Sequence, residues 1–191
     1  MGKVTMAGVM AFAMLAGSAQ AELKIGDKAP DFQCKGTDNK DYNFEAVKEA
    51  EVVVIAVTCN SCPVAVDYED RFIEFTKAYE GKKVQFIAIN CNNASEDLEK
   101  MAKRAEAKGF NFPYVFDEAG KAAGEYGAKV TPTLYVLDKQ RKLAYKGSFD
   151  DNNRNPKVPY VANAVDALLA GKTPEVTDTK AFGCGVRVKK N

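Results

Sequence analysis

Histidine is absent from all 191 residues of this chain. That removes the side chain most often used as a general base near neutral pH, and with it every metal site that needs an imidazole. Tryptophan is absent too, and neither sign of charge is in surplus, with 27 Lys and Arg against 26 Asp and Glu. Such a balance leaves no electrostatic footprint for nucleic acid or for an anionic membrane. Long apolar runs are also missing. The run from Met6 to Ala16 falls short of the roughly 20 residues that a helix needs to cross a bilayer, and no later run is longer. No stable membrane insertion is expected.

The amino terminus carries a different signal. Lys3 precedes that run and small residues ending in Ala19-Gln20-Ala21 follow it, the pattern of a secretory signal peptide. Residues 15 to 18 read Leu-Ala-Gly-Ser, without the cysteine a lipid anchor would need. The mature chain is therefore expected to be exported, periplasmic or secreted. Lys3 is the only charged residue of the leader, so its removal takes the formal net charge from +1 to zero. What remains is long enough for one sizeable core and short for two. The expected organisation is a leader over 1–21, one domain over 22–171 and a tail over 172–191.

Within the mature part, turn signals at Gly36, Asp38 and Asn39 lie between Ala29-Pro30-Asp31-Phe32 and Tyr42-Asn43-Phe44, which predicts a short hairpin ahead of the core. The continuous apolar run Val52 to Val57 suits a strand buried on both faces. Val64, Tyr68, Phe72, Phe75 and Tyr79 then recur at helical spacing. Val84 to Ile89 predicts a second buried strand, followed by a helix capped by Ser95 and closed by Gly109. Strand, helix, strand in this order implies a parallel pair with both carboxyl ends at one sheet edge. Tyr114 to Phe116, Thr133 to Leu137 and Leu143 to Lys146 predict further strands, and Ala119 to Tyr126 and Tyr160 to Leu169 predict helices. The sheet is expected to finish antiparallel, and the polar stretch from Ser148 to Pro159 reads as a loop whose Asp150 to Asn155 cluster is a solvated turn.

Five cysteines, Cys34, Cys59, Cys62, Cys91 and Cys184, stand in the mature part. An exported protein with an odd number must leave at least one thiol free, reactive or paired between chains. Cys59-Asn60-Ser61-Cys62 falls between the buried strand and the helix that opens at Pro63. Two cysteines at this spacing can close a small reversible disulfide ring, and a helix amino terminus favours a thiolate. Cys59 is expected at that helix mouth as the attacking thiol, with Cys62 behind it as the resolving one; a structural disulfide is the alternative. Thr131-Pro132 enters an apolar strand, where a cis proline would leave the preceding carbonyl and amide free to pair with an extended peptide. An ordinary strand-initiating proline is the alternative there. Cys91 is expected at the same edge as Cys59 and Cys62, as a relay thiol, a partner for Cys34, a metal donor or a small apolar filler. Cys184, between Gly183 and Gly185, can serve either as a mobile relay thiol or as a tether for the tail.

The order of strand, Cys-x-x-Cys, helix, strand, helix, Thr-Pro-Thr, hairpin and helix resembles the thioredoxin fold. The Ala29-Pro30-Asp31-Phe32 opening and the extra strand and helix after Val84 resemble its redoxin branch, the AhpC/TSA-like proteins. Cys59 to Val64, Ala88 to Asn90, Asp150 to Asn152 and Ala181 to Cys184 match strings found in exported bacterial members. The resemblance implies an α/β fold, a central mixed sheet flanked by helices with an amino-terminal β-hairpin extension, Cys59 as nucleophile, Cys62 as resolving cysteine and Pro132 in cis beside them. Two departures stand out: Val53 occupies the place of a buried aspartate in many thioredoxins, and Val52 to Thr58 lacks the proline and threonine that peroxiredoxins carry before the attacking cysteine, Ala56 standing where that threonine would be.

The leading expectation is an exported thiol–disulfide oxidoreductase without a cofactor. Cys59 and Cys62 would do the chemistry, Thr131 and Pro132 would bind substrate, and Cys91 and Cys184 are candidate relay thiols. Its partners would be protein disulfides or dithiols, small thiols, and an electron donor or acceptor. A peroxidase of the peroxiredoxin kind is one alternative. A non-enzymatic module that holds a soft metal or a partner through Cys59, Cys62 and Cys91 is another.

Overall fold

The computed structural model describes residues 23–187; the expected leader over 1–21 lies outside the described residues. The elements, in chain order, are β1 (Cys34–Gly36), β2 (Asp41–Tyr42), β3 (Val52–Thr58), α1 (Pro63–Ala78), β4 (Val84–Asn90), α2 (Leu98–Lys108), β5 (Tyr114–Phe116), α3 (Lys121–Glu125), β6 (Val130–Thr131), β7 (Thr133–Leu137), β8 (Leu143–Gly147), α4 (Tyr160–Leu169) and β9 (Cys184–Gly185). Seven strands form one sheet in the order β2-β1-β5-β4-β3-β7-β8, and β6 pairs with β9 in a separate ribbon. Strands β3, β4 and β5 run parallel, while β1, β7 and β8 join antiparallel.

The uninterrupted apolar sequence of β3 explains its central place. Val52, Val54 and Ala56 face a cluster built with Tyr68, Phe72 and Phe75 of α1 and with Val161 and Val165 of α4. Val53, Ile55 and Val57 face the other way, against Phe32, Ala122, Tyr126 and Tyr135. Covering a sheet on both sides is what lets such a run exist without a polar face. The α1 side is dense in rings, with Phe72 centred 5.1 Å from both Phe86 and Phe149. Each fully buried side chain of this size contributes about 1.5–3 kcal/mol of burial free energy.

The expected hairpin forms from β1 and β2, and because Lys35 pairs with Phe116 and Gly36 with Val115, β1 also widens the main sheet. Two other expectations are corrected. Helix α2 is capped by Asp97, whose carboxylate accepts the Lys100 amide at 2.8 Å, rather than by Ser95. The reason is that Glu96 is turned back toward the end of β3, so the helix can begin only after it. The Asp150 to Asn155 turn is solvated beyond its first residue, but Asp150 itself is not. Asp150 is 2 % exposed and takes the Tyr68 hydroxyl at 2.7 Å and the Arg71 guanidinium, which fastens the loop to α1.

The outer edge of β8 is covered along its length. Gly26 and Leu143 are joined at 2.7 Å, the Leu143 amide reaches Asp27 at 2.9 Å, and Ala29 reaches Arg141 at 2.8 Å. Farther along, Lys146 exchanges hydrogen bonds of 3.0 Å with Thr177 and Thr179. The Thr179 hydroxyl also lies 2.6 Å from that of Tyr145 and accepts the Ser148 amide at 3.1 Å. The segment after α4 is thus a strap running back over the body toward β6.

Candidate active site

Register brings the candidate residues together. Thr58 stands beside Asn90 at the ends of the parallel strands β3 and β4, so Cys59 and Cys91 leave the sheet at the same edge. Thr133 pairs with Val57, which carries Thr131 and Pro132 to that edge as well. The Thr131–Pro132 peptide is cis. Cys59, Ser61, Cys62, Cys91, Thr131 and Cys184 are among the residues lining a cavity of about 210 Å³. A larger depression of about 1030 Å³, lined in part by Phe32, Cys34, Asp97 and Ala122, shares no lining residue with this cavity and has Cys34 as its one thiol.

Helix α1 begins one residue after the motif. Proline lacks an N–H and has a preset φ, both suited to the first helical turn, so Pro63 starts the helix and Cys62 becomes its N-cap. Cys62, not Cys59, therefore occupies the helix mouth. Burial raises its pKa, but hydrogen bonds from the Cys184 thiol, the Ala65 amide, the Thr131 hydroxyl and the Cys184 amide outweigh it and hold Cys62 below its ordinary value. In its thiol form Cys62 donates to the Thr131 carbonyl at 3.1 Å. Cys59 is 7 % exposed against 2 % for Cys62, and its sulfur lies 3.4 Å from the Thr131 hydroxyl. One threonine hydroxyl thus serves both sulfurs.

All five cysteines are free thiols. Cys91 is fully buried, and burial first, then the charges of Cys59 and Asp117, push it up to about 12. Cys34 is likewise pushed up to about 12 by burial and by Asp117. Neither has thiolate character near neutral pH, which is what exchange requires. The Cys91 sulfur contacts the Thr58 carbonyl at 3.8 Å. Among the described residues, no three Cys, Asp or Glu side chains are grouped so as to hold a metal ion.

The motif turn is held by residues that motif reading passes over. Glu96, 8 % exposed, accepts the Asn60 amide at 2.9 Å and the Ser61 amide at 3.1 Å, and also the side-chain amides of Asn90 at 2.6 Å and Asn92 at 3.0 Å. Tyr114 donates to the Asn60 side chain at 2.7 Å and accepts from Asn90 at 2.8 Å. Burial, and next the Glu96 charge, keep its phenol well above its ordinary pKa, so it stays a donor. A sequence signal for this brace did exist: Asn90, Asn92 and Glu96 crowd polar side chains directly after a buried strand, at the edge where the cysteines emerge.

Residues 25–146 match the AhpC/TSA family. The chain belongs to the AhpC/TSA family. Its fold is thioredoxin-like, as the order of its motifs implies. The crystal structure of a hypothetical protein, SMc02350 from Sinorhizobium meliloti 1021, is similar, with a TM-score of 0.83, 30 % identity, and 90 % of this chain and 98 % of that one covered. The thiol-disulfide oxidoreductase ResA of Geobacillus thermodenitrificans is 25 % identical over 121 residues, which is 62 % of this chain and 66 % of that protein. A thiol peroxidase of Aquifex aeolicus is 24 % identical over 152 residues, 78 % of this chain and 90 % of that protein. As for membranes, no helix among the described residues of this AhpC/TSA-family chain is long and apolar enough to cross one.

Proposed function

We propose that this AhpC/TSA-family oxidoreductase is exported and exchanges disulfides with protein or small-thiol partners through Cys59 and Cys62. The observation that carries the reading is the geometry of the pair: Cys62 is the N-cap of α1, both sulfurs lie against Thr131, and Cys59, the more open of the two, is the sulfur a partner meets first. In this scheme the Cys59 thiolate attacks a partner disulfide, forming a mixed disulfide and releasing one partner thiolate. Cys62 then attacks the Cys59 sulfur, closes the Cys59–Cys62 ring and frees the second partner thiolate. Two electrons pass from the pair to the partner, and the same steps in reverse deliver a disulfide. Thr131 supplies the backbone edge on which an extended partner segment would lie, and its hydroxyl steadies whichever sulfur carries charge.

The test is reduction of insulin disulfides with dithiothreitol as the electron source. Cys59→Ser should abolish turnover, and Cys62→Ser should accumulate mixed disulfides on Cys59. Undiminished turnover by the Cys59→Ser protein would overturn the reading. Export is tested separately, by the mass of protein recovered from the cell envelope, which should begin at Glu22.

Peroxide chemistry is the second reading, favoured by the similarity to the Aquifex thiol peroxidase. In that case Cys59 would be oxidised to a sulfenic acid and resolved by a neighbouring thiol. The absence of a proline in β3 and the alanine at position 56 weigh against it. Consumption of hydrogen peroxide by reduced protein, lost with Cys59, would promote it.

A further inference from the structure

The backbone edge that an extended partner would use is already occupied. Strand β9 runs antiparallel to β6, with Cys184 opposite Thr131 and Gly185 opposite Val130, and the Val186 amide continues the pairing to Lys129 at 3.0 Å. The approach is closer than any side chain would allow. Gly183 has φ +149°, and a Cβ on it would fall 2.0 Å from the Thr131 carbonyl oxygen and 2.8 Å from its carbon. The Cys184 thiol then lies within hydrogen-bonding reach of the Cys62 sulfur and lines the same cavity. Backbone pairing along an exposed edge is how extended peptides are commonly recognised, so the chain's own tail sits as a bound peptide would, with a cysteine at the reacting position.

We propose that Cys184 is a third redox thiol of this site, which takes the disulfide over from Cys59 and Cys62 as a Cys62–Cys184 bond. The inference rests on the exchange chemistry proposed above. Starting from the Cys59–Cys62 ring, Cys184 loses its proton to solvent and its thiolate attacks the Cys62 sulfur. The Cys59–Cys62 bond breaks, the Cys62–Cys184 bond forms, and Cys59 leaves as a thiolate that takes up a proton. No electron enters or leaves, because the disulfide has only moved.

Cys62 is the sulfur attacked because, of the two sulfurs Cys184 packs near, it is the one that shares a hydrogen bond with the Cys184 thiol. In the reduced protein Cys184 is pushed up to about 11, chiefly by donating its hydrogen bond to Cys62 and then by burial and the Cys62 charge. The bond to an anionic Cys62 and the charge both vanish once Cys62 is in a disulfide, so Cys184 is released as a nucleophile at the moment it is needed. The product leaves Cys59 reduced while the tail is bolted across the Thr131 edge. An oxidised molecule is then closed to a second extended partner until a reductant opens the Cys62–Cys184 bond.

The experiment oxidises the reduced mature chain with glutathione disulfide, blocks free thiols with N-ethylmaleimide and maps linked tryptic peptides by mass spectrometry. Trypsin leaves Cys59 and Cys62 on one peptide, 49–71, and Cys184 on another, 181–187. Wild type should yield these two peptides joined. Cys59→Ser should still yield them joined, which identifies Cys62 as the partner. Gly183→Ala keeps every thiol but lifts β9 from Thr131, and should lower the joined species at least tenfold while the Cys59–Cys62 ring still forms. Absence of joined peptides in both wild type and the Cys59→Ser protein, or an unchanged yield in a folded Gly183→Ala protein, would overturn the proposal. Insulin turnover measured on the same samples separates the two ideas: turnover without the link removes only the role of Cys184, whereas a link without turnover removes exchange with outside partners.

Discussion

Replacing Glu96 by glutamine changes one atom in the brace beneath the motif turn, and its cost can be worked from the geometry. Oε2 accepts from the Asn60 amide and Asn90, and Oε1 from the Ser61 amide and Asn92. Glutamine offers a single carbonyl, so its NH2 end must face two of these four donors. The cheaper orientation turns it toward Ser61 and Asn92, because the Asn92 oxygen makes no hydrogen bond and the amide can flip to present it. Two losses then remain, the Ser61 amide to a charged acceptor, at about 1.5–3 kcal/mol, and the Asn92 donation to the Ser61 hydroxyl that the flip gives up, while three surviving bonds lose their charge assistance. Against this, a neutral amide is cheaper to bury than a carboxylate. The expected net loss is about 2 kcal/mol, or a fall of roughly 4–8 °C in Tm for a domain of this size. Thermal unfolding of the reduced proteins measures it. A Tm within about 1 °C of wild type would show that the motif turn does not depend on the carboxylate.

Other perturbations probe the strap, the loop and the buried thiols. Gly147 has φ +140°, and a Cβ there would fall 2.2 Å from the Thr179 hydroxyl, so Gly147→Ala should cost about 2 kcal/mol or more and speed amide exchange at Thr179; unchanged exchange would show that the strap does not lean on this glycine. Asp150→Ala strands the Tyr68 hydroxyl and the largely buried Arg71, and should cost about 3 kcal/mol in urea denaturation near pH 7. A cost under about 1 kcal/mol would mean that the loop re-solvates freely. Cys91, raised from 9.0 to about 12, keeps a proton in the native state that the unfolded chain releases, so its contribution is full below pH 9.0 and is lost as pH rises toward 12. Each such proton steepens the alkaline decline by about 1.4 kcal/mol per pH unit, and Cys91→Ala should remove that slope between about pH 9 and 11. Equal slopes in the two proteins would show that the thiol ionises as easily when folded.

Much of this arrangement was legible because its signals are local. An apolar run of strand length, a Cys-x-x-Cys before a proline, and Thr-Pro at a strand start each announce themselves within a few residues, and the parallel pairing of β3 and β4 then forces them to one edge. Other parts depend on partners far along the chain. Glu96 reaches Asn60 and Ser61 across a gap that no spacing rule covers, and that reach displaces the α2 cap from Ser95 to Asp97. Asp150 reads as a turn residue until α1 brings Tyr68 and Arg71 against it. The helix mouth moved from Cys59 to Cys62 for a smaller reason, the fitness of Pro63 for the first turn. The pairing of Cys184 with Thr131 was out of reach, since two glycines around a cysteine describe a mobile segment as well as a tight one.

The double cover on β8 has a bearing on how molecules behave in company. A strand with an open rim offers rows of unsatisfied N–H and C=O groups on which a neighbour can add, the first step toward aggregates. Here that rim is taken by residues 26–29 at one half and by residues 177–179 at the other, and the opposite margin of the sheet ends in β2, only two residues long. Among the described residues, concentrated protein therefore finds no long open margin on the seven-stranded sheet to grow along. Proteolytic loss of the strap would uncover half of the β8 rim, so the segment that brings the third sulfur to the cavity also guards solubility.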